Sequence, residues 1–202
     1  MRTDERREQL LNAGVALLAG RPHQDISIEE IADAAGVSKG LLYHYFPTKK
    51  EFILAALDRG QGELAERLQP DSSLPPEQQL IDSLDSFLDY VQEHATAYMT
   101  IFKVGGEDPD IADALEAGRR ETLAILLAGL RGWEGSPVST EPSPPLETAA
   151  QGWLFFVEGA VLRWLEHRDM ERRDLRAMLA TAFTGALFSA RAAGAPGPPG
   201  ES

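Results

Sequence analysis

The sequence predicts an all-α fold of about nine helices, and three observations carry that reading. Apolar residues recur with a helical period along most of the chain, and no stretch of four or more residues alternates convincingly as a strand. Clusters of Gly, Pro and capping residues cut the periodic stretches into helix-sized pieces. At 202 residues the chain is long enough for one large domain or two small ones. Its 43% hydrophobic and 25% charged residues are those of an ordinary soluble protein, and no apolar run approaches the roughly 18–20 residues of a membrane span.

The first expected helix runs from about Glu5 to Ala19, with Leu10, Leu11, Val15, Leu17 and Leu18 on its apolar face; Gly20 and Pro22 stop it. Three short elements follow between Ser27 and about Gln69. After the Pro70–Pro76 linker a long helix is expected to about Lys103, then Gly105-Gly106. Asp108-Pro109 reads as a cap with proline at the first helical position, opening one or two helices through Arg131. Residues 132–145 hold six Pro or Gly and read as an exposed loop. Two more helices are expected, about Leu146–His167 and Glu171–Arg191, before a disordered tail at 194–202.

Charge is unevenly spread over a net −13. Residues 1–60 carry eight Lys/Arg and nine Asp/Glu, and the remaining residues account for −12. Nucleic-acid affinity comes largely from cations at phosphates, so the whole composition argues against DNA binding. One near-neutral end is left for it, and residues 36–60 hold four bases against two acids. The absence of cysteine excludes a disulfide framework and a thiolate metal site. The N-terminus mixes acids with its bases before a short, interrupted apolar stretch; it does not read as a signal peptide, and a cytoplasmic location is expected.

Between Ser27 and Glu51 the signals become specific. Ser27-Ile28-Glu29-Glu30 is a capping box, Gly36 supplies a left-handed turn, and Ser38 can cap a helix from Lys39 to about Tyr45 or Phe46. Thr48-Lys49-Lys50-Glu51 is a second capping box. Ile31 and Ala35 share one helix face, Val37 plugs the turn, and Leu42 and Phe46 lie four apart on the next helix. Two short helices joined this way form a helix-turn-helix. Its second helix exposes Lys39, Gly40, Tyr43 and His44 together: a cation, a bare backbone and two rings suited to phosphates and base edges. Lys49 adds a cation at a helix N-terminus, where free amides already attract phosphate.

The stretch Arg6–Leu57 closely resembles the DNA-binding domain of the tetracycline-repressor (TetR) family. The likeness is strongest from Ile28 to Phe52, which reads Ile-Glu-Glu-Ile-Ala-Asp-Ala-Ala-Gly-Val-Ser-Lys-Gly-Leu-Leu-Tyr-His-Tyr-Phe-Pro-Thr-Lys-Lys-Glu-Phe. The resemblance implies a three-helix DNA-binding domain at residues 1–48 and a larger helical domain at 49–193 that binds an effector and dimerises. A linking helix at 49–69 would open that larger domain. It also implies DNA contacts at Ser27, Lys39, Gly40, Tyr43, His44, Tyr45 and Lys49. Ser27 stands where the family often has Thr, and Leu41 where many relatives have a polar residue. The segment before the first helix is too short for a basic minor-groove arm. The implied partners are a double-stranded DNA operator, a second copy of the chain and an unidentified small-molecule effector, with no membrane.

In the C-terminal part, Phe87, Tyr90, His94, Phe102, Trp153 and Phe156 bring aromatic groups together with Glu158, which stands in an otherwise apolar stretch. They are candidates to line a ligand pocket, against a plain aromatic core at equal weight. Gly159, Leu162, Leu179, Phe183 and Ala186 mix small and large apolar residues on the last two helices, a composition suited to a four-helix interface between subunits. The same residues could instead complete the core of one protomer.

Catalysis is not expected. Glu93-His94 and Glu166-His167 are adjacent pairs without the spacing that places two metal ligands on one helix face, and no nucleophile elbow or phosphate-cradling loop is present. Asp108, Asp110 and Asp113 lack the glycine and distal Glu of a calcium loop. No metal and no cofactor are expected. The sequence therefore reads as a ligand-responsive, dimeric DNA-binding regulator, most simply a repressor. The alternative is a helical ligand-binding or protein-interaction dimer that has lost DNA binding.

Overall fold

The structure, a computed structural model, describes residues 3–20, 27–105, 108–131 and 143–194; among these are nine helices and no strand. They are α1 (Thr3–Gly20), α2 (Ile28–Ala34), α3 (Lys39–Tyr45), α4 (Lys49–Arg67), α5 (Pro76–Glu93), α6 (Ala95–Gly105), α7 (Pro109–Arg131), α8 (Pro144–His167) and α9 (Arg172–Gly194). None of them is long and apolar enough to cross a membrane.

Most expected boundaries fall within a few residues of the observed ones. The expected long helix from residue 77 to Lys103 is instead two, interrupted at His94. Hydrogen bonds from His94 N to Tyr90 O (3.0 Å) and from Tyr98 N to His94 O (2.8 Å) survive on either side. The interruption is thus a local bend, and no Gly or Pro there announces it. Asp108 does cap α7, its Oδ1 accepting from Asp110 N at 3.0 Å, and α7 runs unbroken to Arg131. Of the expected loop, residues 132–142 lie outside the described residues, while Pro144 and Pro145 already open α8. Of the expected tail, Gly194 ends α9 and residues 195–202 lie outside the described residues.

Packing divides the chain into two units, Met1–Glu66 with Asp89–Gly118, and Arg67–Leu88 with Arg119–Ser202. This division differs from the expected boundary at 48/49: nearly all of α4, together with α6 and the first part of α7, clusters with the helix-turn-helix. In the first unit Leu10, Leu11, Ile28, Ile31, Ala32, Leu42, Phe46 and Phe52 form one buried core. The Phe46 and Phe52 rings meet edge to face at 5.1 Å. Each such side chain contributes ~1.5–3 kcal/mol when fully buried. Next to Phe52 on α4, Ile53 turns to a different cluster with Ile111 and Leu115 of α7. One helix thereby serves two cores.

In the second unit α8 and α9 pack along their length. The buried positions of α8 include Ala150, Trp153, Leu154, Val157, Val161 and Trp164, a helical stripe that meets Leu175, Leu179, Phe183 and Leu187 of α9. The turn between them is closed by Arg168 in the left-handed region (φ 51), whose guanidinium lies 4.6 Å from the Trp164 ring centroid. Trp164 Nε1 donates to Met170 O at 2.8 Å. From α5, Asp85 accepts from both Arg172 and Arg176 of α9, tying these two helices together.

Candidate nucleic-acid interface

The helix-turn-helix is assembled from short-range hydrogen bonds. Ser27 Oγ accepts from Glu30 N (3.1 Å) while Glu30 Oε2 accepts from Ser27 N (2.7 Å), the reciprocal box that starts α2. Gly36 takes φ +63, a conformation an L side chain would strain, and Val37 N returns to Ala32 O at 3.0 Å. Ser38 Oγ then accepts from Leu41 N at 3.2 Å and starts α3, and Thr48 Oγ1 accepts from Glu51 N at 3.1 Å to start α4.

With Leu42 fully buried in the core, the opposite face of α3 is fixed. Lys39, Gly40, Tyr43 and His44 are all exposed on it, the Tyr43 side at 40%. A Cβ added to Gly40 would meet nothing within 4 Å. A helical glycine costs ~1 kcal/mol relative to alanine, and nothing in the fold itself requires one here. A surface brought flush against the backbone would require it.

Lys39 is not idle in the free chain. Its ammonium pairs with the Glu29 carboxylate of α2 and lies 5.8 Å from the Tyr43 ring centroid. The hydrogen bond between the pair raises the Lys39 pKa and lowers that of Glu29. Lys49 is the first residue of α4 and half-buried. Its neighbour Lys50 turns the other way, to Asp110 and Asp108 at the start of α7, and those hydrogen bonds raise its pKa. Of the four bases at 36–60, Lys39, Lys50 and Arg59 all meet carboxylates, the last at Glu8 (2.6 Å).

Two more of the expected DNA-contacting residues are, like Lys49, half-buried. Tyr45 is half-buried against the core, its ring edge-on to His44 at 5.3 Å. The Ser27 hydroxyl is half-buried and engaged in its own cap.

The expected pocket residues are divided between the two packing units. Tyr90, His94 and Phe102 belong to the first unit, where Tyr90 Oη donates to Gly60 O at 2.9 Å and Phe102 packs beside Ile111. Phe87, Trp153, Phe156 and Glu158 belong to the second. There Trp153 is buried, its Nε1 donating to Leu179 O (2.9 Å) and its ring 4.7 Å from that of Phe183. Glu158 has a partner in Arg119, whose Nε lies 2.8 Å from its Oε1 with both side chains largely shielded. A shallow groove of about 410 Å³ in the second unit is lined by Leu123, Leu127, Glu147, Thr148 and Gln151, none of them an expected pocket residue.

Leu179 and Phe183, expected at a subunit interface, are buried within their own protomer because α8 covers them. Gly159 is exposed, and Leu162 and Ala186 are half-buried. The apolar surface they border has larger members: Phe155 (50% exposed) and Phe156 (41%) on α8, with Met178 (37%) and Phe188 (70%) on α9. Sequence reasoning counted Phe155 only among the aromatic residues of a pocket or core and passed over Phe188. Helical phase marks them, since Gly152, Phe155, Phe156, Gly159 and Arg163 fall on the side opposite Trp153, Val157 and Val161.

Residues 10–56 match the family described as bacterial regulatory proteins, tetR family, and residues 76–186 match the family described as tetracyclin repressor-like, C-terminal domain. The HTH-type transcriptional activator FasR of Mycolicibacterium smegmatis is 34% identical over 102 residues, about half of either chain (50% of this one, 47% of FasR). An uncharacterized HTH-type transcriptional regulator of Mycobacterium tuberculosis is 28% identical over 98% of this chain and 95% of its own. Among solved structures, a tetR-family transcriptional regulator from Streptomyces coelicolor superposes with a TM-score of 0.84 at 29% identity, covering 96% of this chain and 85% of that one.

Proposed function

The chain belongs to the TetR family of bacterial helix-turn-helix transcriptional regulators, and from that premise we propose that it is a ligand-responsive repressor that binds a palindromic operator as a homodimer. The observation that carries the DNA side of this reading is the outer face of α3. Lys39, Gly40, Tyr43 and His44 are exposed together, and the bare backbone at Gly40 serves no purpose inside the fold. In a dimer the two α3 helices enter successive major grooves about 34 Å apart, and the few cations are doubled. The acidic remainder of the chain repels DNA in other orientations.

The self-association side is supported by the stripe of Phe155, Phe156, Met178 and Phe188, with Gly159 and Gly185 admitting close approach of a partner helix. A small-molecule effector would act by binding more tightly to the dimer whose recognition helices have the wrong separation, since tight binding without preference shifts nothing. The site of action is cytoplasmic. FasR is named an activator; the sign of regulation follows from where the operator lies.

The deciding experiment is selection of bound fragments from a random duplex library by the purified chain at two salt concentrations. A palindrome whose enrichment falls steeply with salt is the expected result. Lys39→Ala and Tyr43→Ala then lower operator affinity about ten- to a hundredfold and alter base preference, whereas Lys49→Ala weakens all sequences alike. No enrichment from folded dimer, with or without cell extract as a source of co-ligand, would turn the reading to a binding module that no longer reads DNA.

A further inference from the structure

The helix interruption at His94 brings together residues that are far apart in sequence. Glu63 on α4, Glu93 at the end of α5 and His94 just after it each offer one donor atom, and the three atoms lie within 4.8 Å of one another. All three belong to the first packing unit. Glu63 and His94 are half-buried, and Glu93 is exposed. This is not a patch of surface acids. It joins an imidazole nitrogen to two carboxylates from separate helices.

The surroundings hold these groups in register. Tyr90 Oη donates to Gly60 O at 2.9 Å, so α4 and α5 touch one turn before the cluster on each helix. The approach is close enough that a Cβ on Gly60 would stand 2.8 Å from Tyr90 Oη. Residues three and four apart share a helix face, which places Glu63 on the face of Gly60, and Glu93 and His94 on that of Tyr90. The Tyr90 ring also lies against the His94 imidazole, centroids 4.7 Å apart. That contact restricts the ring's orientation, as orienting neighbours do for metal-ligating histidines.

We propose that Glu63, Glu93 and His94 form a binding site for a divalent transition-metal ion of the zinc type. One neutral imidazole and two carboxylates make a borderline N,O donor set suited to zinc, with remaining positions open to water. Metal–ligand bonds of about 2.0–2.2 Å separate donors by roughly 3.3 Å, so the observed spread closes by small carboxylate rotations. The bound ion would clamp α4 to the bend between α5 and α6. Any effect of that clamp on operator binding rests on the regulator reading, but metal binding itself does not.

The test is therefore made without DNA. Tag-free full-length chain is titrated with zinc against a fluorescent chelator, and thermal unfolding is followed with and without the metal. One zinc per protomer is expected, together with a metal-dependent rise in Tm, because an ion that binds only the folded state stabilises it. Glu63→Gln and His94→Ala should each weaken zinc binding at least tenfold and abolish the rise, with circular dichroism verifying the fold. His44→Ala and His167→Ala, at the histidines elsewhere among the described residues, should leave both readouts unchanged. Equal zinc affinity in wild type and His94→Ala, or no uptake by wild type at 100-micromolar zinc, would overturn the site.

Discussion

The helix-turn-helix and the α8–α9 pair dispose of their aromatic residues in opposite ways. In the first, the hydrocarbon rings Phe46 and Phe52 are buried, and the rings left outside, Tyr43 and His44, carry polar atoms. In the second, Trp153 and Trp164 are buried with their indole N–H groups bonded to carbonyls, and the rings left outside are the hydrocarbon ones of Phe155, Phe156 and Phe188. Each unit fills its own core; the chemistry of what remains exposed differs. A cation, a bare backbone and polar-tipped rings suit a hydrated polyanion. Phenyl rings among Gly and Ala suit a surface as apolar as themselves.

Four variants would break or sharpen that contrast. The largest effect belongs to the interior. Trp153→Ala removes a buried ring and its hydrogen bond to Leu179, and should lower stability by about 3–5 kcal/mol in urea unfolding. Little change would mean that Trp153 is not the core residue its surroundings indicate. Next comes the exposed stripe. Phe155→Glu with Phe188→Glu should convert dimer to monomer in sedimentation at micromolar concentration, with helicity retained; a variant that stays dimeric removes this stripe from the interface. On α3, Gly40→Ala should reduce operator affinity while leaving stability unchanged or raised by up to ~1 kcal/mol. A stability loss there would show that the glycine serves the fold after all.

The smallest effect tests an exposed ion pair at the α8–α9 turn. Arg163 grips Asp169 through two hydrogen bonds of 2.8 and 2.7 Å, and this holds the Asp169 pKa at about 2, below its ordinary 3.8. A lowered folded-state pKa gives stability above the unfolded value that is lost as pH falls through the folded one. The difference between wild type and Asp169→Asn should therefore be small at neutral pH and fade between pH 4 and pH 2. A difference that persists at pH 2 would assign the effect to something other than this titration.

What could be read from sequence follows the range of the interactions. The Ser27–Glu30 box, the Gly36 turn and the Ser38 cap are each decided within four residues, so local chemistry foretells them. Arg119–Glu158 spans 39 residues and Tyr90–Gly60 spans 30, and neither leaves a local trace. The same holds for the bend at His94 and for the third donor, Glu63, beside it. Aromatic content on α8 was legible, but its sorting required phase: Trp153 and Phe155 are two residues apart and face opposite ways. Composition counts both as pocket or core candidates, and only the position of α9 separates them.

The Glu29–Lys39 pair bears on how quickly such a protein would find its operator. A regulator must leave countless wrong sites before it reaches a right one, and each ammonium–phosphate contact lengthens the stay at every site. If α3 reads DNA as proposed, Lys39 already has a carboxylate within reach, so a passing phosphate would have to compete with an anion tethered to the protein. Where bases on the DNA offered Lys39 and Tyr43 their full complement of contacts, the exchange would be favourable; elsewhere Glu29 would take the lysine back. Dwell time on random sequence would then be shortened more than dwell time on the operator, and the search would be faster.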